Sequence, residues 1–213
     1  MTHRAANAAR ERLVQKLAGS APDHDLARTR LGAARISGAD PLIASLLPPD
    51  PRPAAVLIAL LGEGDEAGIL LTVRAAHLRH HAGQIAFPGG RIEDDDDGPA
   101  AAALREAREE VGLDPRSVEL IGYLPDQIVL TGFRITPVVA RVTGAFTPKP
   151  DHREVQDCFV LPWTRLLDPA SQVEVQRPIL GQNLSMRDIH YEQHRIWGAT
   201  AGILLTLLDL VHE

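Results

Sequence analysis

The stretch AAALREAREEVGL, residues 101–113, decides both the fold of this chain and the place of its chemistry. Alanine, leucine, arginine and glutamate are strong helix formers, so a helix is expected over about 99–111, with Pro99 in its first turn and Gly112 just past its end. Asp97 is the candidate cap. Within it Glu106, Glu109 and Glu110 stand at i, i+3 and i+4, which 3.6 residues per turn places side by side. Like charges so placed repel by roughly a few tenths of a kcal/mol per pair. Two things offset such repulsion. One is a solvated face balanced by Arg105 and Arg108. The other is a divalent cation, because Mg²⁺ is a hard ion that takes carboxylate oxygens and shares the rest of its shell with water and substrate phosphates.

Upstream lies FPGGRIEDDDD, residues 87–97, a short strand ending in a Gly-Gly turn and then an acidic loop. Glycines there let backbone approach a metal or phosphate closely. A calcium EF-hand does not fit EDDDDGPAAAAL (93–104), since that loop needs Asp first and Glu last, where this chain has Glu93 and Leu104.

Further out, residues 5–18 read as an amphipathic helix with Leu13, Val14 and Leu17 on one side. A Pro-rich connector, DPLIASLLPPDPRP (40–53), leads into strands at 54–61 and 68–74 that form a hairpin. SVELIGYL, FRITPVVARV and EVQDCFVLP are further strands, PWTRLLD is a helical turn, and HYEQHRIWG is a last strand before a helix over about 198–211. Strands interleaved with helices imply an α/β fold, a mixed sheet with helices on its faces. The expected division is an N-terminal helix and connector, 1–52, packed on a main domain, 53–213.

The net charge of −6 argues against a broad nucleic-acid surface. The longest apolar run, IWGATAGILLTLL, has 13 residues and is too short to span a membrane. The N-terminus has no apolar core like that of a signal peptide. Cys158 is the only cysteine, so no intrachain disulfide forms, and its apolar setting in CFVLPW reads as core rather than nucleophile. The expectation is a soluble cytoplasmic protein with no nucleic-acid or membrane partner. A homodimer stays open.

GRIEDDDDGPAAAALREAREEVGL, residues 90–113, resembles the Nudix box: a glycine, a spaced glutamate, then Arg-Glu-x-x-Glu-Glu-x-Gly and an apolar residue. REAREEVGL (105–113) fits closely. The front half departs. Counting forward from Gly90 puts the spaced acid at Asp96, counting back from Arg105 puts it at Asp97, and the loop is one residue longer with Asp in place of Glu.

LLTVRAAHLRHHAGQIAFPGG, residues 70–90, is similar to the signature preceding the box in Nudix coenzyme A pyrophosphatases. Leu70, Leu71, Thr72, Arg74, Ala75, Arg79, Gly83, Phe87, Pro88, Gly89 and Gly90 fill every fixed position. The resemblance implies the Nudix sandwich with an N-terminal helical extension, and hydrolysis of coenzyme A or its thioesters to 3′,5′-ADP and 4′-phosphopantetheine. It implies Mg²⁺ or Mn²⁺ on Glu106, Glu109 and Glu110, with Glu106, Glu109 and Glu154 in catalysis. Glu154 enters by position, as a carboxylate from a loop outside the box, with Asp157 as the fallback. Arg74, Arg79, Gly83, Phe87, Gly89 and Gly90 are the implied substrate contacts. Physics agrees on one point: RAAHLRHHAGQ (74–84) holds Arg74, Arg79, His77, His80 and His81 with no acid, a basic island in an acidic chain suited to phosphate. ADP-ribose or NADH as substrate, and a non-catalytic nucleotide-binding module, are the alternatives.

Overall fold

The computed structural model describes residues 3–25, 30–31, 49–79, 81–179 and 182–212. In chain order these form helix α1 (His3–Leu17), strands β1 (Arg30–Leu31), β2 (Arg52–Leu61), β3 (Gly68–Arg74), β4 (Ile85–Ala86) and β5 (Gly89–Arg91), and helix α2 (Gly98–Val111). Strands β6 (Val118–Tyr123), β7 (Gln127–Val129), β8 (Phe133–Val142) and β9 (Val155–Pro162) follow, then the helical turn α3 (Trp163–Leu166). Last come β10 (Gln172–Ile179), β11 (Gln182–Tyr191), β12 (His194–Ile196) and helix α4 (Gly198–His212).

Strand β2 explains the layering. Side chains alternate across a strand, so Ala55, Leu57 and Ala59 face one way and Ile58 and Leu60 the other, all essentially without solvent exposure. The first set packs with Leu70, Val138 and Ala140 against Ala102, Ala103, Ala107 and Val111 of α2. The second joins Ile69, Leu71 and Val139 with Leu13 and Leu17 of α1 and Leu204, Leu207 and Leu208 of α4. Burying a leucine such as Leu57 is worth about 2 kcal/mol. A strand covered on both faces reads as one apolar run, which is why AAVLIALL shows no alternation in sequence.

The sheet is mixed. β2 runs parallel to β8 from Arg52↔Phe133 to Leu60↔Arg141 and antiparallel to β5. It meets β3 only at Leu60↔Ile69 and Leu61↔Gly68, so the expected hairpin is real at its base and then splays. β3 continues along β9. The sequence therefore forms the expected α/β sandwich, with α2 on one face and α1 and α4 on the other.

Several expectations need correction. Residues 171–189 show no strand pattern in sequence, yet β10 and β11 pair from Gln172↔Ile189 to Ile179↔Gln182, and β12 makes a second, three-stranded sheet with them. HYEQHRIWG is not one continuous strand: it holds the end of β11, a turn with Glu192 at φ 52, and the short last strand β12 that leads into α4. The buried stripe of α1 is Ala6, Ala9, Leu13 and Leu17, with Val14 only half-buried. Most of the Pro-rich connector, residues 40–48, lies outside the described residues. Among the described residues no helix is long and apolar enough to cross a membrane.

Candidate active site

Helix α2 forms as its sequence dictates. Pro99 sits in the first turn, and Gly112 adopts the left-handed conformation at φ 70 while its N–H reaches back to the carbonyls of Ala107 and Arg108. Asp97 occupies the cap position but its side chain makes no capping hydrogen bond. Two more carbonyls at the helix end, those of Val111 and Glu110, accept from Lys149 and Asp151 at 2.8 and 2.9 Å. These bonds tie the 149–154 loop to the glutamate helix.

The helix delivers Glu110 and Glu106 to the Gly-Gly turn. Gly89 N–H donates to Glu110 Oε2 at 3.2 Å. A Cβ built on Gly90 would lie 2.3 Å from Glu106 Oε1, so the glycine leaves the space this carboxylate occupies. Glu110 is buried, and burial pushes its carboxyl up to about 8, with the charges of Glu106 and Glu154 adding to the shift against the Gly89 N–H and Arg74. Burial also raises Glu106, with Arg105 opposing and Glu109 and Glu154 reinforcing. Glu109 points to solvent, its side chain 62% exposed and 3.7 Å from Arg105.

The repulsion noted in sequence is thus offset only in part. Arg105 Nη1 donates to Glu106 Oε1 at 3.0 Å. Glu110 takes no bond from any cation among the described residues, and Arg74 is the positive charge that it feels. Among the described residues no three His, Cys, Asp or Glu side chains form a finished metal cage. Mg²⁺ commonly takes one or two carboxylates and completes its shell with water and phosphate. A buried carboxylate held above neutrality, beside a second one, fits that demand.

The altered front half of the motif has a plain geometry. Arg105 donates through Nε to Asp96 Oδ1 at 3.0 Å and through Nη2 to Asp96 Oδ2 at 2.9 Å. It also reaches the Arg91 carbonyl at 3.1 Å. This fork holds the Asp96 carboxyl below its usual range. Asp96, rather than Asp97, therefore meets the helix arginine that steadies Glu106.

Between β3 and β9 the register shifts at Val73/Arg74, an irregularity that re-aims the strand end. Arg74 closes the loop after it, its N–H donating to Gln84 O at 2.9 Å and its carbonyl accepting from Gly83 N–H at 3.0 Å. Ala75 N–H donates to Glu154 O at 2.8 Å, so the basic segment and the 149–154 loop meet beside the carboxylates. The Glu154 side chain is exposed, and it acts electrostatically on both Glu106 and Glu110. Asp157 instead turns back to accept from Cys158 N–H at 2.8 Å. Cys158 is half-buried rather than fully enclosed, and burial pushes its thiol up to about 11.

A cavity of about 410 Å³ opens from the glycine turn toward the start of α4. Of the expected substrate contacts, Arg74, Phe87, Gly89 and Gly90 line it. Arg79 and Gly83 do not; both are exposed, and Gly83 at φ 69 serves the turn. The sequence reading missed Arg91, which directly follows the Gly-Gly turn, and Phe133 and Trp197, which line the same cavity from distant parts of the chain. The signal of Phe133 and Trp197 was slight: isolated aromatics in a chain that is only 4% aromatic.

The family model described as NUDIX domain matches residues 51–181. An uncharacterized Nudix hydrolase, NudL of Escherichia coli (strain K12), is 41% identical over 156 residues, covering 73% of this chain and 81% of that protein. Among solved structures, a MutT/nudix family protein from Enterococcus faecalis aligns with a TM-score of 0.49 at 15% identity, covering 76% of this chain and 62% of that one. A C. elegans Ap4A hydrolase binary complex aligns with a TM-score of 0.45 at 18% identity, covering 51% of this chain and 79% of that one.

Proposed function

The chain belongs to the Nudix hydrolase family, and from that premise we propose that it cleaves the pyrophosphate of coenzyme A or its thioesters, yielding 3′,5′-ADP and 4′-phosphopantetheine. The observation that carries the reading is the segment 70–90, whose Arg74, Phe87, Gly89 and Gly90 line one cavity beside Glu106 and Glu110. Nudix hydrolases generally use divalent metal ions. Here Glu106 and Glu110 would hold Mg²⁺ or Mn²⁺, and the solvent-facing Glu109 would add an oxygen through water. When bound, such an ion neutralises phosphate charge and acidifies a water.

The remaining work falls to the chain's own groups. Glu106 or Glu154 takes the proton of the attacking water. Arg105, braced by Asp96, keeps Glu106 in place. Arg74 steadies the phosphates from inside the cavity, and Arg79 meets the substrate's outer phosphate from the exposed loop. The proposed division of labour is an N-terminal extension, 1–52, on a catalytic domain, 53–213.

A substrate panel tests the reading. Coenzyme A carries a 3′-phosphate that dephospho-coenzyme A and ADP-ribose lack, so kcat/KM should be highest for coenzyme A. Arg79→Ala should lower that value about ten- to a hundredfold, the worth of one charge-assisted bond. Equal turnover of coenzyme A, ADP-ribose and NADH would contradict it.

A further inference from the structure

We propose that the cavity between the glycine turn and the start of α4 is the slot for the substrate's nucleobase, with Phe133 and Trp197 as its stacking walls. The proposal rests on the nucleotide-hydrolase reading above and assigns which half of the substrate lies where. Phe, Trp and Tyr make up only 4% of the chain, yet Phe87, Phe133 and Trp197 all line this one cavity. Concentrating scarce aromatics around about 410 Å³ suits a planar π-system, which gains most from stacking.

Two of those rings are braced by arginines. Arg52 lies over Phe133 with its guanidinium carbon 4.1 Å from the ring centroid, and Arg91 stands at 5.7 Å. Arg177 lies 5.0 Å from the Trp197 centroid and is itself held by both oxygens of Asp188 at 3.0 and 2.8 Å. Trp197 nonetheless stays 38% exposed. A braced indole left open on a cavity is a face prepared for a ligand.

The polar groups favour a purine over the pantetheine arm. Pantetheine spaces two amides and a hydroxyl along a flexible chain, and each needs a partner once buried. Two of the neutral side chains on the wall are already engaged: Thr200 Oγ1 donates to Ile85 O at 2.9 Å, and Gln84 Oε1 bonds His81 Nδ1 at 2.8 Å. A purine keeps its polar atoms on its rim and offers two apolar faces. Arg91 provides donors for ring nitrogens at that rim, while Arg74, whose Nε is buried with no hydrogen-bond partner, is left for the phosphates that follow the base. Gly89 and Gly90 belong both to the cavity and to the carboxylate turn, so a base in the slot leaves the pyrophosphate beside Glu106 and Glu110.

The two halves of coenzyme A are separate molecules after cleavage, which gives a direct test without turnover. Trp163 is buried, so Trp197 carries the ligand-sensitive fluorescence of the wild-type protein. Titration with 3′,5′-ADP should quench it, and 4′-phosphopantetheine should not. By calorimetry Trp197→Ala should weaken 3′,5′-ADP binding about five- to a hundredfold, while Trp197→Phe, which keeps a ring, should lose only a few-fold. Unfolding curves of both variants check that the fold persists. Quenching by 4′-phosphopantetheine alone, or 3′,5′-ADP affinity unchanged in Trp197→Ala and Phe133→Ala, overturns the slot. AMP separates this failure from failure of the functional reading. Quenching by AMP without coenzyme A hydrolysis contradicts the coenzyme A reading and retains the slot, whereas coenzyme A hydrolysis with Trp197 silent to every nucleotide overturns the slot alone.

Discussion

Gly89 and Gly90 are neighbours in sequence, and replacing each with alanine should fail in opposite ways. A Cβ on Gly89 would lie 2.4 Å from Ala55 O and 2.7 Å from Val56 Cα, both backbone atoms of the central strand β2. Neither can yield without breaking the ladder in which Val56 pairs with Gly89. The residue also sits at φ 157, where side chains are rare. Backbone strain of about 1–3 kcal/mol and overpacking of about 1–3 kcal/mol together give a loss of roughly 2–6 kcal/mol. That is a large share of a total stability of about 5–15 kcal/mol. With a urea slope of about 1–3 kcal/mol/M, the midpoint should fall by about 1 M or more. The three atoms nearest a Cβ on Gly90 all belong to the Glu106 carboxylate, with Oε1 at 2.3 Å and Cδ at 2.5 Å. That side-chain end can swing away. Gly90→Ala should therefore stay within about 1 kcal/mol of wild type while losing at least about tenfold in kcat/KM, because Glu106 is displaced. Urea denaturation beside steady-state kinetics decides it. A Gly89→Ala protein as stable as wild type, or a Gly90→Ala protein of full activity, would refute the geometry.

Glu110 makes the metal-free protein sensitive to pH. Its carboxyl is raised from 4.5 to about 8 in the folded state, so the folded form holds a proton that the unfolded chain releases. Stability should fall as pH rises from about 4.5 toward 8, by at most on the order of 4–5 kcal/mol. Thermal melts in chelator should show that slope, and Glu110→Gln should flatten it. Asp96→Ala frees Arg105 and should lower kcat/KM about tenfold, whereas Asp97→Ala should stay near wild type; equal effects would show that the Asp96–Arg105 fork does not steady the site. Cys158→Ala should keep full activity and lose about 1 kcal/mol, and a thiol raised to about 11 should alkylate slowly at pH 7; activity lost on alkylation would give Cys158 a role.

The parts of the fold legible in sequence are those with local causes. Helix α2 announces itself through alanines, Pro99 and Gly112, and β2 through an unbroken apolar run. The β10–β11 hairpin was not legible, because Val173, Glu174 and Gln176 are exposed and Pro178 interrupts the pattern. The site divides the same way. Glu106 and Glu110 share a helix face and could be paired from their spacing alone. The partner of Arg105 lay undecided between two aspartates, because an extra loop residue shifts the count and only the fold shows which carboxylate the guanidinium meets. Phe133 and Trp197 come from a strand start and a helix start 64 positions apart, so nothing in their local sequence joins them.

The most direct test of the central claim is the identity of the products after incubation with coenzyme A and Mg²⁺ or Mn²⁺. Separation by chromatography and mass should give equal amounts of 3′,5′-ADP and 4′-phosphopantetheine, with none formed in chelator or by Glu110→Gln. Dephospho-coenzyme A and free phosphate as products, or unchanged coenzyme A beside rapid cleavage of ADP-ribose, would contradict the account.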